Sequence, residues 1–240
     1  MWKQALIFLV VLTGLTGPAA ASVTGGVEIL LDRRADEVSV YFAMPATDLT
    51  TVFGQGADPL LGTDGTVDID RLYDGTYLVA DDIFAGARLS IGGETMTVEA
   101  LSMMLHDPAF LPGFADPYDA QVAIAVCTSP ETVRGMGLPE LRAYLGYHVW
   151  KVDGHEAIEI TFPEVGRAPV TFTVRDFVDF REVSTQTVTI SDGGVLRIDA
   201  AERSDFGTVR TAAALGALAT ALAFAAFLIS RRARSPRAAT

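Results

Sequence analysis

The second half of the chain alternates between apolar and polar residues in runs of strand length. Apolar residues occupy every second position of 158–162 and of 170–174, and 185–190 and 195–198 continue the series. Such alternation places one side of each strand on a core and the other in water, which is typical of antiparallel sheets. The pattern predicts a mainly β fold, an antiparallel β-sandwich of about seven to nine strands.

The first half mixes strand patterns with short helical insertions. Gly92-Gly93 separates two strand-like runs, and glycine adopts the positive φ of a tight hairpin turn without steric cost. Residues 68–85 predict a helix interrupted near Asp74-Gly75, with Leu78, Val79, Ile83 and Phe84 on one side. The apolar run 120–127 predicts a buried strand, and the spacing of apolar residues in 141–148, after Pro139, predicts a helix.

The N-terminus has the three parts of a secretory signal peptide. Lys3 precedes the apolar run 5–13, and small residues at 19–21 follow the helix-breaking Gly17-Pro18. The prediction is a signal peptide over residues 1–21, with an uncleaved anchor as the alternative. Residues 22–200 then form an exported domain.

The C-terminus predicts a single transmembrane helix over 211–230. This stretch contains no charge and, at about 1.5 Å per residue, reaches across a bilayer core of about 30 Å. Four arginines follow within 231–240, and the positive-inside rule assigns them to the cytoplasm. The order is therefore an exported domain, a linker over 201–210, the span and a cytoplasmic tail.

Small residues recur every four positions in this span. Ala213, Ala217 and Ala221 form a stripe that would let another membrane helix approach closely, from a partner or a second copy. The alternative is an alanine-rich compositional bias without a binding role.

The charge distribution narrows the choice of partners. All 30 acidic residues and 12 of the 18 Lys and Arg lie within 22–209, which gives this part a formal charge of −18. Nucleic acid is excluded as a partner because its phosphates require clustered cations, whereas a cationic periplasmic protein would be attracted. The chain lacks asparagine and hence N-glycosylation sites, which favours a bacterial inner-membrane protein facing the periplasm.

Candidate chemistry is sparse. Cys127 is the single cysteine, so no internal disulfide can form, and its apolar neighbours favour burial.

Met103, Met104 and His106 combine soft ligands that would suit Cu(I), although neighbouring methionines on a strand point to opposite faces. The alternative is core methionines beside a histidine. A further hypothesis is a catalytic triad that pairs His106 with a serine such as Ser102. No cofactor is predicted.

Two loops carry further hypotheses. Aspartates are dense over 58–82, where they indicate a solvated acidic segment or, alternatively, a Ca²⁺ site. The segment 106–114 carries Phe110 and Phe114, which predict either burial beneath the sandwich or a protein-contact patch.

These features favour a non-catalytic accessory, assembly or scaffold subunit of a membrane complex. The alternatives are periplasmic ligand or copper handling and a membrane-anchored hydrolase.

Overall fold

The computed structural model describes residues 26–125 and 130–202. The predicted signal peptide, span and cytoplasmic tail lie outside these residues, as do Cys127, Ala213, Ala217 and Ala221. Within the described residues, no helix combines the length and apolar character needed to cross a membrane.

The larger of two sheets has six strands in the order β5–β6–β2–β1–β8–β9. Its strands are β1 (Val27–Arg33), β2 (Glu37–Pro45), β5 (Glu99–His106), β6 (Arg142–Trp150), β8 (Val170–Val178) and β9 (Arg181–Ile190). Neighbours run antiparallel except β1 and β8, which are parallel. The prediction of a mainly β fold is therefore confirmed, with one parallel pair in place of a purely antiparallel sheet.

The smaller sheet has four antiparallel strands in the order β10–β7–β3–β4. These are β3 (Arg88–Ile91), β4 (Glu94–Thr95), β7 (Ile158–Thr161) and β10 (Val195–Ile198). The predicted hairpin between β3 and β4 is confirmed, since Gly92 and Gly93 adopt φ of 59° and 86°. These angles would strain any residue that carries a Cβ.

The main core contains residues of both sheets and of two helices, α1 (Asp48–Phe53) and α2 (Ile69–Phe84). Aromatic rings contact one another at its centre: Phe42, Phe53, Phe84, Tyr147 and Phe162. The Tyr147 hydroxyl donates a hydrogen bond of 2.9 Å to the Ala80 carbonyl, which ties β6 to α2. Buried polar groups generally need such a partner.

A third helix, α3 (Pro117–Ala123), packs against the opposite face of the larger sheet. There it forms a second apolar cluster that includes Leu30, Tyr41, Tyr144 and Phe177. Both faces of the central strands are consequently buried.

Three sequence predictions about these elements were wrong. The run 120–127 begins as helix α3 because Asp116 accepts a hydrogen bond from the Asp119 N–H and Pro117 occupies the first turn. Residues 141–148 fall mainly in strand β6 because the sheet is covered on both faces, which removes the polar alternation that marks a strand. Helix α2 is continuous through Gly75, whereas an interruption was predicted.

Candidate functional site

Strand β5 holds the three residues predicted as soft metal ligands. Met103 lies opposite Leu145 and Met104 opposite Tyr144, so the two thioethers leave the strand on opposite faces. The buried His106 ring donates from Nε2 to the Ala123 carbonyl at 2.7 Å. Burial lowers the pKa of His106, although this hydrogen bond opposes the shift. Copper binding by these residues stays a prediction, and the geometry gives the imidazole a protein partner instead.

The two phenylalanines of the 106–114 segment have different environments. Phe110 is 69% exposed. Phe114 is half-buried, and its ring centroid lies 5.5 Å from that of Tyr144 beneath α3. Phe114 is therefore partly buried, whereas a protein contact through the exposed Phe110 stays a prediction.

A polar cluster that the sequence did not predict lies on the α3 side of the larger sheet. It consists of Asp32, Arg34, Glu37, Ser39 and His148, here called the His148 cluster. Ser39 Oγ lies 2.8 Å from His148 Nδ1, and Glu37 Oε2 lies 3.6 Å from His148 Nε2. Arg34 joins the carboxylates, at 2.7 Å from Asp32 and 2.6 Å from Glu37. No sequence motif signals this cluster, because Ser39 and His148 meet only through the pairing of β2 with β6.

Burial dominates the electrostatics of the His148 cluster. It lowers the pKa of His148, while Glu37 acts in the opposite direction, and it raises the pKa of Asp32 against the effect of Arg34. Three buried polar atoms of the cluster, Asp32 Oδ1, Arg34 Nε and His148 Nε2, have no hydrogen-bond partner. Burial thereby biases Asp32 and His148 towards their neutral forms relative to the same groups in water.

The acid–histidine–serine order resembles a hydrolytic triad, but the surroundings do not support acyl transfer. Ser39 and His148 are only 5% and 4% exposed. Ser39 also lies in an interior strand whose backbone is paired with β1 and β6, so neighbouring N–H groups are not free to bind an oxyanion. The arrangement fits a structural polar network better than a nucleophile site.

The aspartate-rich segment forms ordered structure around α2. Asp68 caps the helix by accepting hydrogen bonds from the N–H groups of Asp70 and Arg71. An open cleft of about 580 Å³ lies beside this end, lined by Asp64, Asp68, Asp70, Arg71 and Arg134 among others. Among the described residues, no three His, Asp or Glu side chains are grouped to hold a metal ion.

The outward side of α2 is both acidic and apolar. Tyr73, Tyr77 and Leu78 are 45%, 51% and 64% exposed, and Asp74 and Asp81 are exposed beside them. We call these five residues the α2 outer face. The sequence pattern placed Leu78 with the buried Val79, Ile83 and Phe84, but Leu78 points to solvent. The spacing of Tyr73 and Tyr77, four residues apart, was the available signal for this face.

Comparison of the chain with protein-family models gave no match, and comparison with curated proteins gave no similar sequence.

Proposed function

We propose that this chain is a non-catalytic accessory subunit of a bacterial inner-membrane complex. Its acidic domain, a β-sandwich, is exported to the periplasm and is held by one C-terminal span, while the tail is cytoplasmic. The apolar stretch 211–230, the arginines after it and the leader-like N-terminus support this arrangement.

The observation that carries the proposal is the α2 outer face. Two tyrosines and a leucine, each exposed by at least 45%, lie on one helix of a folded domain. Tyrosine is enriched among the residues that dominate binding energy at protein interfaces. The opposite side of α2 is already used, since Leu72, Val79 and Ile83 are buried in the main core.

The negative charge around the α2 outer face indicates the chemistry of a partner that would bind there. Asp74 and Asp81 flank the exposed rings, and the part of the chain from 22 to 209 carries −18 overall. A partner segment in which Lys or Arg alternates with apolar side chains would neutralise the carboxylates and cover the rings. We therefore propose a basic, amphipathic segment of a membrane-complex subunit as the partner.

Site-specific photocrosslinking in native membranes tests the proposal with a matched pair of tyrosines. A photoreactive phenylalanine analogue replaces Tyr77 in one full-length chain and Tyr118, on α3, in the other. Tyr118 is 73% exposed and therefore equally available for chance contacts. We expect a discrete adduct from position 77 at least about tenfold stronger than from position 118, as for an interface hot spot.

The adduct must also carry the predicted chemistry. Its partner should contain a basic segment at the crosslinked site, and the yield should fall several-fold as salt rises from about 0.05 to about 0.5 M, because screening weakens exposed charge pairs. Adducts from position 118 alone, or a yield indifferent to salt, would contradict the proposal.

A further inference from the structure

Strand β9 forms one edge of the larger sheet. Its register with β8 runs from Arg181 to Ile190 and is interrupted by a bulge at Val183, and no second strand pairs with it in the described ranges 26–125 and 130–202. Most of its side chains are exposed, including those of consecutive residues that point to opposite faces. Its outer backbone N–H and C=O groups therefore face outward as a template for another strand.

Beyond the bulge at Val183, the rest of this edge lacks the features that usually prevent strand addition. From 184 to 191 it contains no charged residue and no proline, and five of those eight residues are Val, Ile or Thr. The opposite edge of the same sheet, β5, also has a bulge, between Ala100 and Ser102, and in addition it packs against α2. The two edges thus differ in protection.

The charge of the domain and the two-fold symmetry of self-pairing indicate which strand pairs with the outer edge of β9. We infer that the outer edge of β9 pairs antiparallel with β9 of a second copy of this chain, which extends the sheet across a two-fold axis. Two domains that each carry so many carboxylates repel one another over most of their surfaces, whereas the segment 183–191 brings no like charges together. Closed two-fold dimers of this kind use the same surface in both copies.

The side chains favour a register centred on Thr187. In this register Thr187 meets Thr187 of the second copy, and Thr185 meets the second copy's Thr189. Thr–Thr cross-strand pairs are favourable. The same pairing already exists within the chain, where Thr187 lies opposite Thr173 and the hydroxyl oxygens of Thr171 and Thr189 are 3.0 Å apart. The dimer would continue one threonine-rich surface across four strands.

Disulfide trapping in the full-length chain tests this register. The background variant is Cys127→Ser, to which either Thr187→Cys or Thr173→Cys is added. In the proposed dimer, the two copies of position 187 are about 5 Å apart, within disulfide reach. The two copies of position 173 lie in the same row but three strand spacings apart, about 14 Å.

We expect an added oxidant to convert Thr187→Cys to a covalent dimer at least tenfold more efficiently than Thr173→Cys, in native membranes and in mild detergent. Equal trapping at both positions would show random collision, and trapping at neither, or to a different protein at position 187, would overturn the inference. Circular dichroism of both variants checks that they fold.

A second variant does not depend on thiol chemistry. Thr187→Lys places two ammonium groups against each other at the two-fold axis, whereas Thr187→Val keeps a strand-forming side chain. The mass measured by light scattering should fall from dimer to monomer with lysine and stay dimeric with valine. A lysine variant that stays dimeric would contradict pairing through this edge.

Discussion

Arg33 is a charged side chain with no solvent exposure. Its guanidinium lies 3.4 Å from the Asp176 carboxylate and donates a hydrogen bond of 3.0 Å to the Asp199 carbonyl. The pairing is incomplete, since Arg33 Nε and Asp176 Oδ1 have no hydrogen-bond partner. Arg33 thus connects the end of β1 to β8 and to the residue that follows β10.

Replacement of Arg33 by methionine should lower the free energy of unfolding by about 3–5 kcal/mol, because Asp176 would stay buried without its counter-ion. The matched change Arg197→Met removes an exposed ion pair with Glu159 and should cost less than about 1 kcal/mol. Urea unfolding at pH 7 compares the two. Similar losses in both variants would show that the buried pair has no special role.

Acidification should reduce the loss caused by Arg33→Met. Burial already raises the pKa of Asp176, and Arg33 opposes this effect. Without Arg33 the carboxyl should protonate at a still higher pH, and its charge would no longer be buried once it is neutral. The difference in unfolding free energy between wild type and variant should therefore shrink as pH falls from 7 towards 4. A constant difference would exclude Asp176 as the cause.

His106 should make the fold sensitive to acid. Its pKa is lowered by burial, so the folded state binds the proton less readily than the unfolded state. Its contribution to stability is present above the unfolded pKa of about 6.5 and is lost as pH falls through the lower folded value, by at most about 1.4 kcal/mol per pH unit. Unfolding free energies from pH 8 to 5 should decline less steeply for His106→Gln than for wild type. His148 is unchanged in both proteins, so a difference between the two slopes comes from His106. Equal slopes would contradict the prediction.

At the scale of elements, Gly146 in β6 explains how α3 packs on the sheet. A Cβ at this position would lie 2.5 Å from Ile124 Cδ1 and 3.2 Å from the Tyr41 ring. Glycine in a strand interior often marks such a close approach. The sheet therefore accepts the segment after α3 only because this side chain is absent.

Gly146→Ala should lower the free energy of unfolding by about 1–3 kcal/mol, the usual cost of overpacking a core. Ile124→Ala removes the atom that the new methyl group would strike, so the double variant should lose less than the sum of the single losses. A double-mutant cycle by urea unfolding measures this coupling. Strict additivity would show that the two residues do not compete for the same space.

Element type was predictable where one side of a strand meets water. The alternation of 158–162 and 170–174 indicated β7 and β8 correctly, and the glycine pair after Ile91 indicated the hairpin. The apolar pattern predicted the wrong element for β6, because this strand is buried on both sides. It was also wrong for the start of α3, because a capping aspartate begins a helix there. The His148 cluster could not be predicted from the sequence either, because Ser39 and His148 come together only through tertiary pairing.

At the scale of the whole molecule, membrane topology can be measured directly. Alkaline phosphatase, which is active outside the cytoplasm, should be active when fused after residue 200 and inactive when fused after residue 240. A cytosolic fluorescent reporter should show the opposite pattern. We expect this pattern of reporter activity because the arginine-rich segment after residue 230 should stay on the cytoplasmic side of the membrane. A cytosolic signal from the fusion at 200 would contradict the proposed orientation.

The sequence by itself determined the separation of apolar ends from an acidic body and the mainly β character of that body. Both follow from local composition and from short-range periodicity, which do not depend on which segments meet. Only the tertiary structure decided that β1 lies parallel to β8, that Leu78 is exposed and that β9 lies at an edge. Strand order and solvent exposure depend on contacts between residues far apart in the chain, and no local pattern encodes them.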